Sequence, residues 1–107
     1  MKASRDKAAF KARVFEWAIK LDVKVGSLAV RPMRNKWASC STVGNVNFNQ
    51  ELLRFENDVV DYVIVHELLH FFVPNHGKLW KSLMRAHLGK FEAAEEKLRR
   101  NTDKGGA

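Results

Sequence analysis

Asp58-Val59-Val60-Asp61-Tyr62-Val63-Ile64-Val65-His66-Glu67-Leu68-Leu69-His70-Phe71-Phe72-Val73-Pro74-Asn75-His76 decides how this chain is read. Asn57 or Asp58 supplies a helix cap, and the run that follows to about Phe72 has almost no polar face. A helix that is apolar all round is buried at the centre of its domain. Into it the sequence sets two histidines and a glutamate, which are costly in an apolar interior unless paired or bound to a metal.

His66 and His70 stand at i and i+4, one turn apart on one helix face, so both reach a single ion. Were the helix to continue, His76 would lie about 9 Å along the axis from His70 and about 15 Å from His66. Pro74 removes that obstacle, because it disfavours helix at Val73 and adds no rung itself. A turn at Val73-Pro74-Asn75 then carries His76 back toward the pair. Three imidazoles suit zinc and leave its fourth position to water, the catalytic rather than the structural arrangement. Glu67, beside the first ligand, is the candidate general base for that water.

Outward from this segment, residues 4–21 show helical spacing of Ala8, Ala12, Phe15, Ala18 and Ile19, with Ser4 as cap and a basic outer face. Three short β-type runs follow: Val25–Val30, Lys36–Ser41 and Val46–Asn49, the last two joined by the turn signal Thr42-Val43-Gly44-Asn45. Pro32 marks an edge or bend. After the central helix come two more, roughly Lys78–His87 and Phe91–Arg100, with Gly89 as the stop between them. The pattern is helix, three-strand meander, then three helices, an α+β fold in one domain over residues 1–100 with residues 101–107 as a frayed tail.

The chain has 107 residues, 46% hydrophobic and 29% charged, which suits one compact soluble domain. No apolar run is long enough for a transmembrane helix, the N-terminus lacks a secretory pattern, and a cytoplasmic protein with no membrane partner is expected. The single Cys40 has no internal disulfide partner. The net charge of +7 divides unevenly: +7 over residues 1–40, −4 over 41–76 and +4 over 77–107. The basic excess belongs to the flanks, and the segment ending at His76 is acidic.

Four blocks in order resemble the YgjP-like metallopeptidases: Arg31-Pro32-Met33-Arg34-Asn35-Lys36-Trp37-Ala38-Ser39-Cys40-Ser41, Gly44-Asn45-Val46-Asn47-Phe48-Asn49, Asp61 to His70, and Asn75-His76-Gly77-Lys78-Leu79-Trp80. The resemblance runs from about Phe10 to Arg100. It implies a minimal zincin: an N-terminal helix, a small three-stranded antiparallel sheet, a buried active-site helix and C-terminal helices. It also implies one catalytic zinc on His66, His70 and His76, with Glu67 as base. Ala38 stands where the family usually has glycine, and a larger N-terminal β-rich portion of many relatives is missing. The ligand spacing equals that of metzincins, but Val73 replaces their glycine and no separate methionine turn follows. WLM and SprT-like proteases are similar at the motif level.

Other residues have a bland reading beside a functional one. Cys40 is a small buried thiol or a fourth ligand or redox switch. Tyr62, His87 and Asn75 are candidates for supporting a ligand or donating to an oxyanion. Their plainer roles are packing for Tyr62 and a last-turn helix position for His87. Asp61 and Glu92 are solvated charges or partners for a ligand's remaining N–H. Trp37 and Ser39 belong to a strand that, as a sheet edge over the cleft, holds an extended peptide substrate. Trp37 and Trp80 equally suit the core, and the first helix's cations a solvated face. The leading expectation is a zinc-dependent peptidase acting on protein or peptide. The alternatives are a nucleic-acid-associated protease or module targeted by its basic flanks, and a metal-bound scaffold that holds peptides without cutting them.

Overall fold

The structure is a computed structural model that describes residues 6–100. Helix α1 (Lys7–Leu21) is capped by Asp6, whose Oδ1 accepts from the Ala9 N–H at 2.8 Å. Ser4, the expected cap, lies outside the described residues, as does the 101–107 tail. The buried stripe of α1 is Phe10, Val14, Ala18 and Leu21, a regular i, i+4, i+8, i+11 series. Phe15 and Ile19, expected on the inner face, are instead 46% and 80% exposed. The small alanines at positions 8 and 12 fit either face, and Phe10 and Val14 fill the core better.

Three strands follow: β1 (Ser27–Arg31), β2 (Ala38–Cys40) and β3 (Asn45–Asn49). They do not form the antiparallel meander expected from the sequence. The order is β1-β3-β2, with β3 parallel to β1 and antiparallel to β2. The reason lies in the two connections. Ser41 to Asn45 closes tightly, with Gly44 at φ +96° and the Gly44 N–H donating to the Ser41 carbonyl at 3.1 Å. The longer link through Pro32 and Lys36 is held away from any hairpin by buried Asn49. Its Nδ2 donates to the carbonyls of Met33 (3.0 Å) and Lys36 (2.9 Å). The β1–β2 link thus wraps the end of β3, and β1 takes the remaining edge of β3.

A short 3-10 helix, Gln50–Arg54, leads to α2 (Asn57–Leu69); α3 (Lys78–Leu88) and α4 (Glu92–Arg100) complete the fold. Helix α2 is packed by α1, α3, α4 and β2, which is why its sequence has no polar face. Asp61 ties α1 to α2: it accepts from Arg13 Nη2 at 2.8 Å and from Trp17 Nε1 at 2.9 Å. No helix among the described residues is long and apolar enough to cross a membrane.

Candidate metal centre

Among the described residues the buried polar or charged side chains are Asn49, His66 and Glu67, and two of these lie together near the end of α2. The helix stops sooner than Pro74 alone requires. His70 is already its C-cap, and the N–H groups of residues 70–73 close successive tight turns onto the carbonyls of Glu67, Leu68 and Leu69. Those turns bring the Val73 carbonyl to 3.1 Å from His70 Nδ1. Nδ1–H donates to that carbonyl, so the Nε2 lone pair of His70 is left free. Past Pro74, Asn75 Oδ1 accepts from the Gly77 N–H at 3.2 Å, and Gly77 caps α3. The turn sets the His76 ring back over the helix end.

The result is a cluster of His66, His70 and His76 with one nitrogen from each lying within 4.8 Å of the others. His76 Nε2 is 3.1 Å from His70 Nε2. Nitrogens at about 2.0–2.1 Å from one tetrahedral zinc lie about 3.3 Å apart, so this edge already matches such an ion. The other ring nitrogen that bears on the fit is His66 Nδ1. It is buried without a hydrogen bond, 3.3 Å from Glu67 Oε2 but out of line for one. Partial burial, then the facing His66 and His70 rings, hold the His76 pKa below the ordinary histidine value. That keeps the imidazole neutral, the form that binds metal.

An aromatic wall backs the cluster. Trp80 lies 5.1 Å from the His66 ring and 4.6 Å from that of His76, and its Nε1 is buried without a partner. Phe91 packs on Trp80 and stacks on Tyr62, whose ring is 5.7 Å from His66. The Tyr62 hydroxyl donates to Glu95 at 3.3 Å, and burial followed by that carboxylate pushes its pKa well up. Glu95 was not among the candidates read from the sequence. Its signal was present, because Phe91, Ala94 and Leu98 are the buried stripe of α4 and Glu95 stands four residues after Phe91.

On the opposite side, β2 borders a cavity of about 400 Å³ lined by Lys36, Ala38, Ser39, Cys40, Glu67, His70 and Pro74. Cys40 is half-buried and not simply a core thiol. Burial, then the facing Glu67 carboxylate, pushes its pKa up to about 11. Ser39 lines the cavity, whereas Trp37 belongs to the core, edge-on to Phe55. The methyl of Ala38 is buried. His87 is exposed and packs edge-on to Trp17, away from the three clustered rings. Asn75 spends its oxygen on the turn, Asp61 is held by Arg13 and Trp17, and Glu92 pairs with Arg85.

The pairing of β2 also fixes where its backbone points. The Trp37 carbonyl accepts from Asn49 and the Ser41 N–H donates to Asn45, so 37, 39 and 41 face β3. The N–H and C=O groups of Ala38 and Cys40 therefore point away from β3, where Ala38 is buried and Cys40 partly exposed. The central strand β3 is paired on both sides and has no open edge.

These features agree with the comparisons to known proteins. The chain is 30% identical over 104 residues to the uncharacterized protein MJ0123 of Methanocaldococcus jannaschii, covering 92% of this chain and 94% of that one. Its fold matches the metallopeptidase zymogen jannalysin of the same organism with a TM-score of 0.78 and 27% identity, over 86% of this chain and 95% of that one. It matches the fold of the metallopeptidase zymogen abylysin of Pyrococcus abyssi with a TM-score of 0.76 and 16% identity, over 92% and 99%. The model of the YgjP-like metallopeptidase domain matches residues 1–101, and the chain belongs to that family.

Proposed function

We propose that residues 1–100 form a single zinc-dependent peptidase domain in which His66, His70 and His76 hold one zinc ion and Glu67 is the general base. The observation that carries this reading is the convergence of three imidazole nitrogens within 4.8 Å beside a buried carboxylate. A bound zinc supplies Lewis acidity toward the scissile carbonyl and lowers the pKa of an attacking water. Glu67 takes the proton from that water and passes it to the leaving amine. The Val73 carbonyl fixes the tautomer of His70, and the wall of Tyr62, Trp80 and Phe91 keeps bulk water from the rear of the cluster. Cys40, partly exposed on the unpaired edge of β2, offers its backbone groups to an extended peptide. A cytoplasmic site of action fits the free thiol of Cys40.

The test is metal analysis and proteolysis of purified protein. Wild type should hold about one zinc per chain, His76→Ala should lose it, and Glu67→Gln should keep it. Cleavage of an unfolded protein substrate should fall by about 10²–10⁴-fold in Glu67→Gln. Full cleavage by Glu67→Gln would overturn the role of Glu67, and undiminished zinc in His76→Ala would overturn the third ligand.

A further inference from the structure

The open edge of β2 is flanked by two cavities. Beside the one bordered by Glu67 lies a second, of about 390 Å³, lined by Lys24, Cys40, Ser41, Thr42, Val43, Gly44, His70 and Phe71. The two share Cys40 and His70, so they adjoin along the strand at the candidate centre. No carboxylate lines the second cavity. Its polar lining comes instead from Lys24, Ser41, Thr42 and His70. Ser41 Oγ accepts from the Asn45 N–H at 3.2 Å, which leaves its own O–H to donate.

The segments that supply these groups are stitched together. The Gly26 N–H donates to the Gly44 carbonyl at 2.8 Å, and the Gly44 N–H donates to Ser41. Lys24 and Lys36, one in each cavity, are exposed and have no ion-pair partner among the described residues. In an extended peptide, alternate side chains fall on one side about 6.6–6.8 Å apart, so a bound strand offers both cavities a side chain.

We infer that this cleft selects extended acidic protein segments, with an Asp or Glu side chain of the substrate seated among Lys24, Ser41 and Thr42. The inference rests on the peptidase reading for its location and goes beyond it in naming the substrate class. An ammonium beside two hydroxyls that can donate, with no carboxylate in the lining, suits a carboxylate. Lys36 adds a second cation on the far side of the shared residues. A protein segment is favoured over nucleic acid because the edge N–H and C=O of partly exposed Cys40 match the alternating donor and acceptor of a peptide backbone, whereas a phosphodiester offers acceptors only and leaves the C=O unmatched.

Two measurements separate this proposal from the peptidase reading. Fluorescein-labelled peptides of matched sequence, carrying Glu, Gln or Lys at alternate positions, are first bound to zinc-loaded Glu67→Gln protein and followed by anisotropy. The Glu peptide should bind about tenfold more tightly than the Gln peptide, with the Lys peptide weakest. Lys24→Glu should reverse the order of the Glu and Lys peptides, and the preference should shrink with added salt. Cleavage by wild type of the same peptides should show the preference in kcat/KM. Equal affinity for the three peptides, an unchanged order in Lys24→Glu, or tighter binding of single-stranded DNA than of the Glu peptide would overturn the inference. An acidic preference in binding without any cleavage would uphold it and overturn the peptidase reading.

Discussion

His70 has its two ring nitrogens divided between a backbone carbonyl and the candidate centre, so its orientation depends on the turn at Val73 as much as on the helix that carries it. Cys40 is likewise defined by a neighbour distant in sequence. Burial, then the facing Glu67 carboxylate, pushes its thiol up to about 11, so it stays protonated at neutral pH. At pH 9 the metal-free folded protein should react with iodoacetamide roughly fiftyfold more slowly than the urea-unfolded chain, since only the thiolate is the nucleophile. Equal rates would show that Cys40 is neither buried nor set facing Glu67. The three histidines and Glu67 were legible because their spacing is local: i, i+4, and a proline break before the third. Alternation alone grouped Cys40 with Ala38 but was silent on what lay across from them. That contact depends on β2 lying beside α2, which no local pattern encodes.

Among the elements, the helix bounds were read to within a few residues, although Asp6 and Glu56, not Ser4 and Asn57 or Asp58, stand at the N-caps of α1 and α2, and α1 buries Phe10 and Val14 in place of Phe15 and Ile19. Sheet order was not legible. It is set by Asn49, whose side chain reaches back to hold the carbonyls of Met33 and Lys36, a contact between residues 13 and 16 apart. The 3-10 helix at Gln50–Arg54 escaped for a related reason, since its start is capped by that same side chain at the Glu51 N–H, 3.0 Å away. The α1–α2 tie carries a prediction at this scale. Asp61 is largely buried and accepts from both Arg13 and Trp17. Asp61→Asn should lower unfolding free energy by about 1–3 kcal/mol in urea while leaving zinc content unchanged. Loss of zinc in that variant would place Asp61 in the service of the metal and not of helix packing.

For the whole molecule, stability and metal are linked through protons. His76 has a folded pKa below its unfolded value of about 6.5. The unfolded chain therefore takes up the proton first, so this contribution is fully present above about pH 6.5 and is lost as pH falls below it. Chelated protein should show a falling urea midpoint from about pH 7.5 to pH 5.5, and a flat profile would contradict the partial burial of His76 against the two facing rings. Free zinc at about a thousand times its Kd should restore about 4 kcal/mol at neutral pH, seen as a higher Tm. The strand order has a consequence in time. Every rung of the sheet includes a residue of β3, so β1 and β2 both leave the ribosome before either has a partner. When β3 emerges, β2 is joined to it by a tight turn, whereas β1 must close from Ser27 to Asn45 across the whole hairpin. Pulse-labelled hydrogen exchange during refolding should therefore protect the amides shared by β2 and β3 first and those of β1 later. The edge proposed to bind peptide would then exist before the sheet behind it is complete.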